Sequence, residues 1–172
     1  VIVRYRKNGV LKRLKATPLS AFEFLSAQVI SRLWLIVLVT SLVYAGTNLV
    51  IGFRMFGSYF TLLLVLAIGT FSMISLGLII SARLANEEAA NGLLNAISWP
   101  MMMLSGVWFS LEGSPQIVQQ FSLIFPLTHM IEAAREVMID GAGLIDVLNH
   151  LGIMLLMAVI FMFIGARSFR WE

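Results

Sequence analysis

Hydrophobic and polar positions sort this chain into four long apolar runs, joined by short polar stretches and preceded by a basic segment. Leu33 to Gly52 runs for twenty residues without a charge. As a helix it is about 30 Å long, enough to cross the hydrocarbon core of a bilayer. With its approach, the span is predicted over 28–52, and Arg32 at the entrance can snorkel to the headgroups. Phe53 to Ser58 makes a short turn, so the second span, Tyr59 to Ala82, runs back antiparallel. It carries Gly69, Ser72, Ser75, Gly77 and Ser81, and Gly77 with Ser81 forms a small-xxx-small pair suited to close helix contact. Arg83 to Gly92 is polar, too short for a domain, and reads as a loop on the N-terminal side. Leu93 to Leu111 is a third span, interrupted by Pro100 and by Ser105-Gly106. Pro100 frees a backbone carbonyl and kinks the helix, as a gating hinge or as a static packing feature. The fourth span covers 147–167, with Asn149 and His150 at its outer end and Arg167, Arg170 and Trp171 as an interfacial anchor.

Residues 112–146 hold no run long enough to span, only two short amphipathic pieces separated by Pro126. In the first, Ile117, Val118, Phe121, Ile124 and Phe125 share a face against Gln116, Gln119 and Gln120. In the second, Leu127, Met130, Ile131, Ala134 and Met138 share a face against Glu132, Arg135 and Glu136. Two such pieces between spans predict a re-entrant or interfacial hairpin. Ahead of the spans, residues 4–19 form a basic amphipathic segment. Val3, Val10, Leu11 and Leu14 fall on one side of a helical wheel and Arg6, Lys12, Arg13 and Lys15 on the other, as in a helix lying on a surface. Thr17-Pro18 disfavours continuation. Ser20 and Glu23 then fit a capping box, and Leu19 with Phe24 fits the accompanying staple. The order is surface helix, sharp corner, membrane-entering helix.

Composition agrees. With 59% hydrophobic residues, 12% charged residues and a mean hydropathy of +0.92, the chain is an integral membrane protein rather than a soluble domain. The net charge of +3 reads as topology, because the basic residues lack aromatic interleaving and a groove-reading helix, and no nucleic-acid partner is expected. With the N-terminal segment cytoplasmic, Arg4, Arg6, Lys7, Lys12, Arg13, Lys15, Arg32, Arg83, Arg167 and Arg170 lie inside, and only Arg54 and Arg135 lie outside. The positive-inside rule selects that orientation and returns the C-terminus to the cytoplasm. There is no cysteine, hence no disulfide or thiol chemistry. Residue 1 is Val and no signal peptide precedes the basic segment, so upstream sequence with further spans is expected.

Leu33 to Gly52, Tyr59 to Ala82 and Leu93 to Leu111 contain no Asp, Glu, Lys, Arg or His, which argues against a proton- or ion-coupled carrier. No phosphate-binding GxxxxGK[ST] occurs, since the only lysines are Lys7, Lys12 and Lys15, so this chain does not hydrolyse ATP by a P-loop. His129 and His150 have no partner at a metal-ligand spacing and read as polar interfacial residues, with no metal site. Glu132, Glu136 and Asp140 read as a solvated helix face, and no catalytic residues are expected.

This order of features resembles the membrane subunit of ABC type 2 transporters, the permeases of bacterial drug, polysaccharide and lipid exporters, nearly end to end. The stretch from Gly9 to Ser20 is similar to the family's coupling segment, which contacts the ATPase subunit. The resemblance assigns that contact to Gly9, Leu11, Lys12, Arg13, Leu14, Thr17 and Pro18, with Leu11 and Leu14 as an apolar knob and Lys12 and Arg13 as its polar rim. Glu87 is similar to an acidic residue of the next cytoplasmic loop. Pro100, Ser105, Gly106, Pro115, Pro126, His129 and Arg135 match the spaced pattern across the fifth span and outer hairpin, and are the pore or gating candidates. Ser110 departs from the pattern, standing where many members have Pro after an aromatic residue.

The resemblance implies an all-α polytopic membrane bundle with four visible spans of six, a cytoplasmic coupling helix and an outer re-entrant hairpin. It implies the permease subunit of an ATP-driven exporter in the bacterial inner membrane, moving an amphipathic or lipid-like substrate or a drug. Its partners would be membrane lipid, a second permease subunit in a homodimer or heterodimer, and an ABC ATPase subunit. ATP and Mg would be held by that subunit, and no cofactor by this chain. The residues alone leave open a non-transport scaffold or assembly protein anchored to lipid by its basic helix, and a fragment of a secondary carrier whose charged residues lie upstream.

Overall fold

The computed structural model describes residues 2–84, 86–108, 111 and 113–169. Ser110 and the anchor residues Arg170 and Trp171 lie outside the described residues. The described elements are all helical: α1 (Ile2–Lys7), α2 (Val10–Lys15), α3 (Ala21–Ile51), α4 (Tyr59–Arg83), α5 (Glu87–Leu104), α6 (Gln116–Ser122), α7 (Pro126–Arg135), a π-turn (Glu136–Asp140) continuing α7, and α8 (Leu148–Ser168).

Three helices, α3, α4 and α8, are long and apolar enough to cross a membrane. The expected third span is different. Its helix, α5, begins at Glu87 and ends at Leu104, so the polar loop predicted over Arg83 to Gly92 shrinks to the three residues between α4 and α5. Asn86 caps α5, its side chain accepting from the Glu88 amide at 3.0 Å, and the two glutamates suit the positive end of the helix. From Leu93 to Leu104 the apolar part of α5 is about 18 Å long, short of a full crossing. Pro100 lies inside it.

The corner into the bundle is built as the sequence predicts. Ser20 is the N-cap of α3; its hydroxyl accepts from the Glu23 amide at 3.2 Å, and the Glu23 carboxylate accepts from the Ser20 amide at 2.8 Å. Ser20→Ala removes one half of this reciprocal cap and is expected to cost about 1 kcal/mol, readable as a lowered thermal midpoint of the purified protein.

The basic segment is not one helix. Asn8 and Gly9 break it, with Gly9 in the left-handed region at φ 69°, so α1 and α2 meet at an angle. The break lets both pieces turn apolar residues inward. Ile2 and Leu11 join Phe24, Leu25 and Val29 of α3, Leu78 of α4 and Met162 of α8 in one buried cluster. A second cluster forms at the other end of the bundle from Val65, Ala133, Val137, Val147, Leu151 and Met154. Helix α4 belongs to both. It packs against α3, α7 and α8 and is the axis of the fold.

Close approach occurs at glycines other than the predicted one. A Cβ at Gly69 would stand 2.6 Å from the Met130 sulfur, so α7 lies directly on α4 there. At Gly165 it would meet Leu78 at 3.6 Å, where α8 crosses α4. Gly77 has nothing within 4 Å, and its carbonyl accepts from the Ser81 hydroxyl at 2.9 Å. Gly77 therefore makes no close helix contact among the described residues.

Helix α3 is apolar all round and contributes only Phe24, Leu25 and Val29 to the interior. Trp34, Leu42, Leu49 and Val50 stay exposed. An uncovered surface of this kind is stable only against lipid or another subunit.

Candidate functional site

Three regions carry the chemistry. At the N-terminal end, Leu11 is fully buried and Leu14 is packed against the first cluster, so the expected apolar knob points into the bundle instead of away from it. The left-handed bend at Gly9 separates α2 from α1 and lets Leu11 join the buried cluster formed with residues of α1, α3, α4 and α8. What faces outward is Lys12, Arg13, Ala16, Thr17 and Pro18. Thr17 Oγ1 donates to the Leu14 carbonyl at 2.6 Å, closing the end of α2, and Pro18 stands in the corner before Ser20. Glu87 comes to the same end, with its carboxylate 3.4 Å from the Arg4 guanidinium. Both side chains are solvent-accessible, so this pair positions more than it stabilises.

The far end gathers most of the remaining candidates. Helix α5 ends at Ser105, whose hydroxyl donates to the Met102 carbonyl at 2.8 Å, and Gly106 follows at φ 76°. Arg135, in the last turn of α7, donates to the Gly106 carbonyl at 3.1 Å. A guanidinium so placed binds the broken end of α5 to the hairpin. Ser105, Gly106, Gln119, Ser122, Glu132 and Arg135 line a polar cavity of about 330 Å³. Pro115 is the N-cap residue of α6, and Pro126 opens α7, where its missing amide costs nothing. Pro100 is exposed and lines neither cavity, so it does not converge with the others.

Helix α7 is rotated from its predicted setting. Its inward stripe is Pro126, His129, Ala133 and Val137; Leu127, Ile131 and Ala134 are only partly buried. Reading imidazole as polar put His129 on the wet side, yet its ring is buried because both nitrogens have partners. Nε2 meets the Leu123 carbonyl at 2.9 Å, and Nδ1 meets His150 Nδ1 at 3.1 Å. The two histidines, set aside as separate by their spacing, are brought together by the packing of α7 on the start of α8. In α6 and the turn after it, the apolar residues Ile117, Phe121 and Ile124 are exposed.

The third region was not predicted. An apolar cavity of about 700 Å³ opens between α3, α4 and α7, lined by Tyr44, Asn48, Tyr59, Leu63, Met130 and Met138 among others. Its polar lining includes Thr40, Ser41, Tyr44, Asn48 and Tyr59. Asn48 Nδ2 donates to the Tyr59 hydroxyl at 3.3 Å, and the Tyr44 ring packs edge-on against Tyr59 and Phe53. An apolar body with an aromatic, hydrogen-bonding rim suits an amphipathic molecule. The sequence signal, Tyr44 and Asn48 one turn apart with Tyr59 across the turn, became visible only once the helices were paired.

With this geometry established, comparison with known proteins is decisive about kinship. The family model of the ABC-2 type transporter matches residues 1–139, most of the chain. The chain belongs to the ABC-2 type transporter family. Among its relatives in that family, the inner membrane transport permease YhhJ of Escherichia coli K12 is 30% identical over 148 residues, covering 83% of this chain and 38% of that protein. The probable multidrug ABC transporter permease YbhS of the same organism is 27% identical over 166 residues, covering 96% of this chain and 44% of YbhS. The linearmycin resistance permease protein LnrN of Bacillus subtilis is 23% identical over 169 residues, covering 98% and 44%. The chain thus spans about two fifths of the length of the relatives it matches. No solved structure matches it significantly. As an ABC-2 family member with three spanning-length helices it is a multi-pass membrane protein of the all-helical class that the sequence implied.

Proposed function

We propose that this ABC-2 chain is part of a permease subunit that exports an amphipathic or lipid-like molecule from a bacterial cell, driven by a separate ABC ATPase. The observation that carries this reading is the burial of Leu11. A lipid anchor would turn its apolar side outward to the membrane and its charges to water. Here Leu11 is buried in a cluster with residues of α1, α3, α4 and α8, leaving a hydrophilic face of Lys12, Arg13 and Thr17 for another protein. Force applied to that face passes through Leu11 into the buried cluster that α2 shares with α1, α3, α4 and α8.

The helix α3 begins at this cluster and ends beside the apolar cavity, so a push at the coupling end reaches the groove that would receive cargo. ATP and Mg belong to the partner subunit in this scheme, and this chain binds neither. The basic end lies in the cytoplasm, as the distribution of Lys and Arg supports. Two permease subunits, identical or different, act together, with the exposed faces of α3 and α6 covered by lipid or by the second subunit. The multidrug and resistance names of YbhS and LnrN support a drug-like cargo.

The test is reconstitution of the full-length permease with its ATPase subunit in vesicles that carry a fluorescent lipid-like amine. ATP-dependent movement of the probe is expected. Failure of the ATPase to co-purify, with probe distribution indifferent to ATP, contradicts the reading and favours the scaffold.

A further inference from the structure

We propose that His129, Glu132 and His150 form a binding site for a divalent transition metal of the zinc type at the junction of α7 and α8. His129 Nδ1 and His150 Nδ1 are 3.1 Å apart, and Glu132 Oε2 lies 3.9 Å from His150 Nδ1. One ligand atom from each of the three residues falls within 4.8 Å of the other two. Two imidazole nitrogens bound tetrahedrally to one zinc stand about 3.3 Å apart, given bonds of ~2.0–2.1 Å. The pair is therefore already at ligand spacing, and the glutamate needs only a small rotamer change.

The other ring nitrogens strengthen the assignment. His129 Nε2 donates to the Leu123 carbonyl at 2.9 Å, and His150 Nε2 faces the Glu136 carboxylate at 3.6 Å. These are the partners that metal-binding histidines use to fix tautomer and ring orientation. With Nε2 carrying the proton on both rings, both Nδ1 lone pairs point at the same space. Two lone pairs at that distance repel unless a cation sits between them. A shared proton is the competing occupant of that space, and Glu132 Oε2 at 3.9 Å from His150 Nδ1 supplies the third ligand that a metal, unlike a proton, would bind directly. His129 and Glu132 stand three residues apart on one face of α7, and His150 enters from the first turn of α8. Glu132 also lines the polar cavity with Ser105 and Arg135, which gives an ion a hydrated approach and leaves a coordination position for water. Two nitrogens and one carboxylate favour zinc, copper or nickel over magnesium or calcium. The bound ion would clamp the hairpin to the last span across 21 residues of sequence.

The probes are Zn²⁺ and Co²⁺ added to the purified full-length permease after EDTA treatment. One equivalent of zinc per chain is expected, together with the visible absorption of tetrahedral Co²⁺ and a zinc-dependent rise in thermal midpoint. His150→Gln, at a partly exposed position, should retain the fold and lose the Co²⁺ bands and the zinc response. His129→Asn should do the same, and Glu132→Gln, which removes the charged ligand, should weaken zinc binding about tenfold or more, equivalent to ~1.4 kcal/mol. Substoichiometric zinc in the wild type, or equal binding by wild type and His150→Gln, overturns the proposal and leaves a hydrogen-bonded histidine pair. If His129→Asn fails to fold, His150→Gln and the wild-type Co²⁺ spectrum still decide.

Discussion

Leu11→Asp is expected to abolish ATP-driven export and to lower the stability of the whole bundle, while the neighbouring Lys12→Asp leaves the fold intact. Leu11 has no exposed surface, and its neighbours Phe24, Leu25, Val29, Leu78 and Met162 offer no partner for a carboxylate. Truncation to Ala would already cost about 2–5 kcal/mol through lost burial and the cavity left behind. An unpaired carboxylate adds a desolvation cost of several kcal/mol. The helix does not absorb that, so α2 leaves the bundle or the cluster opens. Lys12 is exposed, and reversing its charge disturbs only what docks on α2. Folded yield and thermal midpoint in detergent separate the two variants. A Leu11→Asp protein with wild-type stability and transport would show that α2 is not wedged where the structure puts it.

Filling the apolar cavity should have the second-largest effect. Ala45 lines it from α3 and is exposed, so Ala45→Trp places an indole in the groove without displacing core side chains. The variant is expected to fold normally, keep the ATPase partner and lose cargo binding about tenfold or more, equivalent to ~1.4 kcal/mol. A lipid-like fluorescent probe titrated into the purified permease measures this directly. Unchanged probe affinity would mean that cargo moves elsewhere and that this groove is filled by lipid alone.

Much of the bundle was legible because membrane spans announce themselves by length and lack of charge. Tyr59 to Ala82 matches α4 to within a residue. The Ser20/Glu23 box marked the start of α3 because capping is local chemistry, decided by residues three apart. The hairpin at Pro126 was readable for the same reason. What failed was everything that depends on how helices face one another. A wheel assigns Leu11 to an apolar side but does not say whether lipid, protein or a partner covers it. Gly9 decided that by breaking the segment, and a left-handed glycine leaves no periodic signature. Leu93 to Leu111 looked like a span because apolar composition continues past Leu104, where the backbone turns at Ser105-Gly106.

The candidate site divides in the same way. Ser105, Gly106 and Arg135 do converge, through a guanidinium to a carbonyl that is 29 residues away in sequence. Pro100 was the strongest local signal in α5 but stands apart on the outside. His129 and His150 were dismissed by spacing alone, although a helical hairpin brings distant residues together as readily as a loop does. The cavity beside Tyr44 and Tyr59 is a gap between three helices and has no expression in any one of them.

The central claim is that the outward face of α2 receives the ATPase, and the lack of native cysteine in this chain makes it testable. Single cysteines at Lys12, Ala16 and Thr17 of the full-length permease, with Leu11→Cys as a buried control, would be crosslinked to the ATPase subunit with and without nucleotide. The account predicts crosslinks at the three exposed positions that change with nucleotide, and none at Leu11. Crosslinking at Leu11, or at no position in a folded complex, would contradict it.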